Sequence, residues 1–264
     1  MRISKSRHEI QSVEDWFRFA PPKMGKRQWR DGRSAKELAR SWSRNGHSEP
    51  PVELVALLET KFGTRIIFGE AKAECIIKLD EFAGEHRNCD LVVLCNVDAK
   101  RMVINIEAKA DEPFGEAIGE YYDQKAGSGS NVPARIRQLS LALFGRVPDE
   151  TIRKLRYQLL HAAAATLIEA KDNGAELALF LVHEFRSTNL KTDKLAQNDA
   201  DWQNFVHAFP ELATARIAEN MILGPVSVRG DGRVPHSVPL HLGKLITALE
   251  WVSLPLPHQQ RIQP

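Results

Sequence analysis

Asp90 opens the apolar run DLVVL, and Glu107-Ala108-Lys109 closes the run MVINI on the far side of an Asp98-Ala99-Lys100-Arg101 turn. If the two runs are adjacent antiparallel strands, the start of one lies beside the end of the other and the carboxylates converge. Two carboxylates and a backbone carbonyl, that of Ala108, suit Mg²⁺ or Mn²⁺, hard cations that keep several waters and take a phosphate oxygen. Lys109 shares the strand face of Glu107 and could there orient a metal-bound water for attack on phosphorus. The ordinary alternative is a strand surfacing into a loop, with Glu107 and Lys109 as a solvated pair. Asp111-Glu112 follows at once; it either lines the mouth of the site or supplies the acids that favour a helix start.

Positioning these groups takes regular elements. SVEDWFRF reads as a short helix with Ser12 as N-cap within an otherwise irregular residues 1–32. SAKELARSWSR has the Ser34/Glu37 spacing of a capping box, and PPVELVALLETKFG is a helix between prolines and Gly63. TRIIFGEAKAECIIKL, NCDLVVLCNV and RMVINIEAK read as three strands. EPFGEAIGEYYDQ and PARIRQLSLALF are helical, with AGSGSN between them. DETIRKLRYQLLHAAAATLIEAKDNG reads as one long helix, ELALFLVHEF as a fourth buried strand and NDADWQNFVHAF as a short helix. A hairpin around Asp231-Gly232 closes the chain. The order predicts a single α/β domain: N-terminal helices over 1–50, a core over 51–185 and a helix with a hairpin over 186–264.

Asp90 and Glu107-Ala108-Lys109, placed this way, resemble the PD-(D/E)XK nuclease superfamily, which includes restriction enzymes, RecB-like exonucleases and junction resolvases. The resemblance covers roughly Pro51 to Phe185. It implies a restriction-endonuclease-like αβββαβ core with a mixed sheet of four to five strands flanked by helices. It also implies a metal-dependent nuclease in which Asp90, Glu107 and the Ala108 carbonyl hold the ion and Lys109 positions the water. The helix glutamate of the family falls on Glu53, ahead of Glu59, as a further catalytic and metal-holding residue. The helix glutamine of RecB-like members falls on Gln158, without the expected tyrosine spacing. Cys89 stands where the family has proline. A nuclease fold that has lost catalysis and serves as a nucleic-acid-binding or assembly subunit is the alternative.

The expected partner is nucleic acid, with DNA ahead of RNA, yet a net charge of +2 over 264 residues gives no general electrostatic case for it. The cationic candidates are local: Lys23, Arg27, Arg30 and Arg33 in the loop PPKMGKRQWRDGR, and Arg156 in the long helix. Arg135, Arg137 and Arg153 are weaker candidates, being ordinary helix-surface positions. Such a surface is small, or is completed in a homodimer. Cys75, Cys89 and Cys95 lack CxxC spacing and read as reduced thiols. No apolar run is long enough to span a bilayer and the start has no apolar signal core, so a cytoplasmic location is expected. His183 sits inside an apolar run as a core residue, and no GxSxG, Walker or GxGxxG loop is present.

Overall fold

The computed structural model describes residues 1–249 apart from Asn45, Glu85, Thr188 and Asn189. Its elements are β1 (Arg2–Lys5), β2 (His8–Ile10), α1 (Val13–Phe19), α2 (Ser34–Trp42), β3 (Ser43–Arg44), β4 (His47–Ser48) and α3 (Val52–Phe62). They continue with β5 (Ile66–Ile77), β6 (Arg87–Val97), β7 (Lys100–Lys109), α4 (Ile118–Lys125), α5 (Val132–Phe144), α6 (Glu150–Lys154) and α7 (Tyr157–Asp172). The last are β8 (Leu177–Arg186), α8 (Thr192–His207), β9 (Met221–Val226) and β10 (Leu240–Ala248). Of the expected C-terminal additions, residues 250–264 lie outside the described residues.

One eight-stranded mixed sheet, ordered β2-β1-β5-β6-β7-β8-β10-β9, carries the fold. The hairpins β5–β6 and β6–β7 are antiparallel, whereas β7–β8 and β8–β10 are parallel. The near-continuous apolar runs of β7 and β8 follow from this, because helices cover both faces of those strands. On one face, Ile136, Leu139, Leu159, Phe205 and their neighbours from α4 to α8 are fully buried. On the other face, Trp16, Leu38, Trp42, Leu54 and Leu58 from α1, α2 and α3 are buried against Ile104, Ile106 and Leu181.

Three expectations need correction. The sheet has eight strands because residues 1–10 form a hairpin whose β1 pairs in parallel with β5. Only Ile3 and Ile10 of that hairpin are buried apolar residues, so backbone pairing to β5 holds it more than its side chains do. The Ser34 capping box does not form: Arg33 is the N-cap, and Glu37 instead accepts from the Gly32 N–H at 2.7 Å. The long helix is two helices. The Asp149 side chain caps α6, and the backbone around Leu155–Tyr157 then leaves helical geometry to pair with Glu116–Ile118.

His183 and His241 are core residues. Burial pushes His183 down to about 3, and burial with nearby Lys61 takes His241 to about 4. Below the unfolded value of about 6.5 the unfolded chain takes up these protons and the folded chain does not, so stability falls as pH drops. Each histidine is expected to contribute about 1.4 kcal/mol per pH unit to that loss. Urea unfolding followed by tryptophan fluorescence at pH 7, 6 and 5 checks this. The decline is expected to be shallower in His183→Leu; equal slopes would show that His183 protonates without unfolding.

Candidate active site

The split between α6 and α7 decides the geometry. Asn105, buried in β7, donates through Nδ2 to the Ala162 carbonyl at 3.2 Å and fixes α7 over the strand. The buried run Ala162–Ala165 keeps helix and strand close. Four residues back along the helix is Gln158, and two and four residues on along the strand are Glu107 and Lys109. One helical turn and a two-residue strand step are both about 6 Å, so these side chains meet. Gln158 Nε2 donates to Glu107 Oε1 at 2.6 Å, and Lys109 Nζ donates to Gln158 Oε1 at 3.0 Å. Lys109 Nζ is also 2.9 Å from Glu107 Oε1 and lies 5.3 Å above the Phe114 ring. Because α7 begins at Tyr157, its positive N-terminal end faces the Glu107 carboxylate.

Sheet register supplies the rest. The pairing Leu91↔Ile106 puts Asp90 opposite Glu107, one step beyond the last paired residues. The pairs Ala73↔Leu91 and Cys75↔Cys89 put Glu74 opposite Asp90. Three neighbouring strands thus bring Glu74, Asp90 and Glu107 into one row at the rim of a cleft of about 570 Å³. Like charges directly opposite one another destabilise a sheet; here the backbone itself adapts, with Asp90 Oδ2 accepting from the Ala108 N–H at 2.8 Å. Glu74 takes a left-handed φ of 50°, which a residue with a Cβ adopts at a cost. Glu74 is the residue that sequence reasoning missed.

Arg87 and Lys109 balance the row, bonded to the two Glu107 oxygens. Burial raises the Glu107 carboxyl, but Arg87 and Lys109 outweigh it and hold the group below its ordinary range. Asp90 goes the other way: burial, Glu107 and Glu74 push it well above the usual carboxylate range. Burial lifts Glu74 to about 7 against the pull of Asn88, Lys5 and Arg87. A carboxyl held protonated by neighbouring acids is one whose proton a divalent cation can displace. Among the described residues no group of three or more His, Cys, Asp or Glu is arranged as a metal cage. Asp90 and Glu107, opposite each other across the β6–β7 pair, are the two carboxylates that could hold a divalent cation.

Asp90, Glu107, Ala108, Lys109 and Gln158 all line the cleft. Glu53 does not. It is exposed in the first turn of α3, 3.7 Å from Arg44, because Leu54 and Leu58 turn the buried stripe of that helix toward the other face of the sheet. The cationic candidates are also redistributed. Lys23 lines the cleft, while Arg27 and Arg30 are exposed away from it. Arg33 pairs with Asp111 and lies 3.8 Å from Glu112. Arg156 is bound to Asp201 at 2.8 Å and to the Gly115 carbonyl at 3.3 Å. Asp111 and Glu112 therefore anchor the basic loop: Glu112 also accepts from the Ala110 N–H and from Ser34. They start no helix, since α4 begins only at Ile118.

Sheet and cleft together define a mixed α/β protein with a buried acid–lysine–glutamine constellation where an antiparallel hairpin meets a parallel crossover. The chain belongs to the family described as a domain of unknown function (DUF6946), whose model matches residues 9–248. Comparison with curated proteins gave no match, and comparison with solved structures gave none either. No helix among the described residues is long and apolar enough to cross a membrane.

Proposed function

We propose that the chain is a metal-dependent nuclease that hydrolyses phosphodiester bonds, with DNA as the first substrate to test, on a restriction-endonuclease-like core running from α3 to β8. The observation that carries this reading is the row Glu74–Asp90–Glu107 with Lys109 and Gln158 in one cleft. A sheet with no site would not gather three acids across adjacent strands beside a buried lysine. The chain order α3, β5, β6, β7, then α4 to α7 and β8, supports this reading, with α4, α5 and α6 inserted before the helix that carries Gln158.

Asp90 and Glu107, with the Ala108 carbonyl, would hold Mg²⁺ or Mn²⁺, and Glu74 replaces Glu53 as the supporting acid. Bound there, the ion would supply Lewis-acid activation of water and charge stabilisation at phosphorus. Lys109 orients the attacking water and offsets charge developing on the phosphate. Gln158 holds Lys109 and Glu107 in a fixed relation through its two amide atoms. The buried surroundings strengthen each of these interactions by excluding water.

The test is cleavage of single- and double-stranded DNA, and of RNA, with Mg²⁺ or Mn²⁺, beside Asp90→Ala. Divalent-dependent cutting by the wild type that Asp90→Ala abolishes is the expected result. Equal inertness of both proteins on every substrate would leave the alternative, a catalytically silent binding or assembly subunit.

A further inference from the structure

A second cleft of about 440 Å³ adjoins the first, and Arg87, Asn88, Tyr121, Tyr157 and His161 line both. Its charge is opposite in kind. The first cleft is lined by five acids, Glu74, Asp90, Glu107, Glu112 and Glu116, against three cations, Lys23, Arg87 and Lys109. Among the described residues the second is lined by no acid; its cations are Arg87, Lys125 and Arg135, and it also presents the imidazoles of His86 and His161, the latter kept neutral by burial and by Arg87 and Arg135. Asp80 holds Arg135 at 3.1 Å through Nη2, and Lys125 Nζ lies 5.7 Å from the centre of the Tyr121 ring. In a chain of net charge +2 this is a marked local segregation of charge.

Two polar atoms on the shared wall have no hydrogen-bond partner among the described residues. The Arg87 side chain is 8% exposed and spends its Nη2 on Glu107, yet its buried Nε is unpaired. His161 Nδ1 is buried and unpaired as well. A buried guanidinium N–H without an acceptor is costly, and a phosphate oxygen arriving through either cleft would satisfy it with a charge-assisted bond.

We infer that the second cleft is a phosphate-binding subsite, which grips a phosphate of the substrate strand adjacent to the bond being cut. This rests on the nuclease reading of the first cleft. It places the cationic part of the substrate surface beside the acid row and not at Arg27, Arg30 and Arg33 of the basic loop, of which Arg33 is consumed by Asp111. Arg87 then links the two clefts, with Nη2 on Glu107 and Nε toward the phosphate.

The experiment uses the full chain in EDTA, where no cleavage occurs. Inorganic phosphate is titrated while the imidazole C–H signals of His86 and His161 are followed by NMR. Binding of ten-nucleotide single strands, with a terminal phosphate or without one, is read by fluorescence anisotropy. Phosphate is expected to shift both histidine signals. Lys125→Ala should weaken both probes about threefold and Arg87→Gln about tenfold, with Lys100→Ala, at the far end of β7, unchanged. A terminal phosphate that tightens strand binding identifies a strand end as the ligand; equal binding without it identifies an internal diester, and either supports the subsite. Unmoved histidine signals, or Lys125→Ala and Arg87→Gln binding both probes as wild type, would overturn it. Phosphate binding without cleavage of any substrate under Mg²⁺ would sink the nuclease reading alone. Cleavage with the variants binding normally would sink the subsite alone.

Discussion

Lys109→Ala is expected to slow cleavage about a thousandfold while leaving nucleic-acid binding in EDTA close to wild type. Lys109 Nζ stands 2.9 Å from Glu107 and 3.0 Å from Gln158, inside the cleft and nearly buried. Its charge is therefore placed where charge develops during phosphoryl transfer and where water screens it little. Gln158→Leu removes only the amide that holds Lys109 and Glu107 together, so a smaller loss of about tenfold is expected. Glu74→Gln, across the row from Asp90, should cost more than Gln158→Leu. Glu53→Gln should cost nothing, because that side chain is exposed on α3. Steady-state rates for the four variants under Mg²⁺ check the ranking. Full activity in Lys109→Ala would remove the proposed chemistry, whereas inactivity of Glu53→Gln with an active Glu74→Gln would return the supporting role to the helix glutamate.

The difference between Glu53 and Glu74 marks where the sequence is informative. The β6–β7 hairpin is legible because two apolar runs flank a four-residue polar turn, which leaves little freedom in the register. Asp90 and Glu107 could be brought together on that basis alone. Glu74 lies across a second hairpin, whose connection between Ile77 and Arg87 is long. Around it, β5 carries Glu70, Lys72, Glu74 and apolar residues in a pattern compatible with more than one register. The usable signal was arithmetic: a hairpin centred on that connection pairs Cys75 with Cys89 and sets Glu74 against Asp90. The break before α7 was hidden for a different reason. KLRYQLL keeps good helical periodicity, and only the backbone pairing with Glu116–Ile118, a tertiary event, ends α6. The same event moved Gln158 from mid-helix to the first turn of α7, over the site.

Glu107→Ala and Asp90→Asn should move stability in opposite directions, though both destroy activity. The Glu107 side chain is 3% exposed and neutralises Arg87 and Lys109, themselves 8% and 7% exposed. Removing it strands two buried cations, a change that typically costs about 3–5 kcal/mol and lowers Tm by roughly 10 °C in a chain of this size. Asp90 is already pushed toward its protonated form by burial, Glu107 and Glu74. Asparagine replaces that neutral carboxyl and keeps an oxygen for the Ala108 N–H, so stability should hold or rise. The share of wild-type stability that Asp90 and Glu74 contribute is lost as pH rises through their raised folded pKa values, for Glu74 between about 4.5 and about 7, and opposes the contribution of the buried histidines. The advantage of Asp90→Asn and of Glu74→Gln should therefore be larger at pH 8 than at pH 5. Thermal unfolding of the three variants at both pH values is the measurement. If Asp90→Asn melts as low as Glu107→Ala, the acids are not crowded and the row is an ordinary salt-bridged edge. Arg87→Met in the Glu107→Ala background supplies the matching control: removing one stranded cation should recover part of the loss, because the two residues act as a pair and their effects do not add.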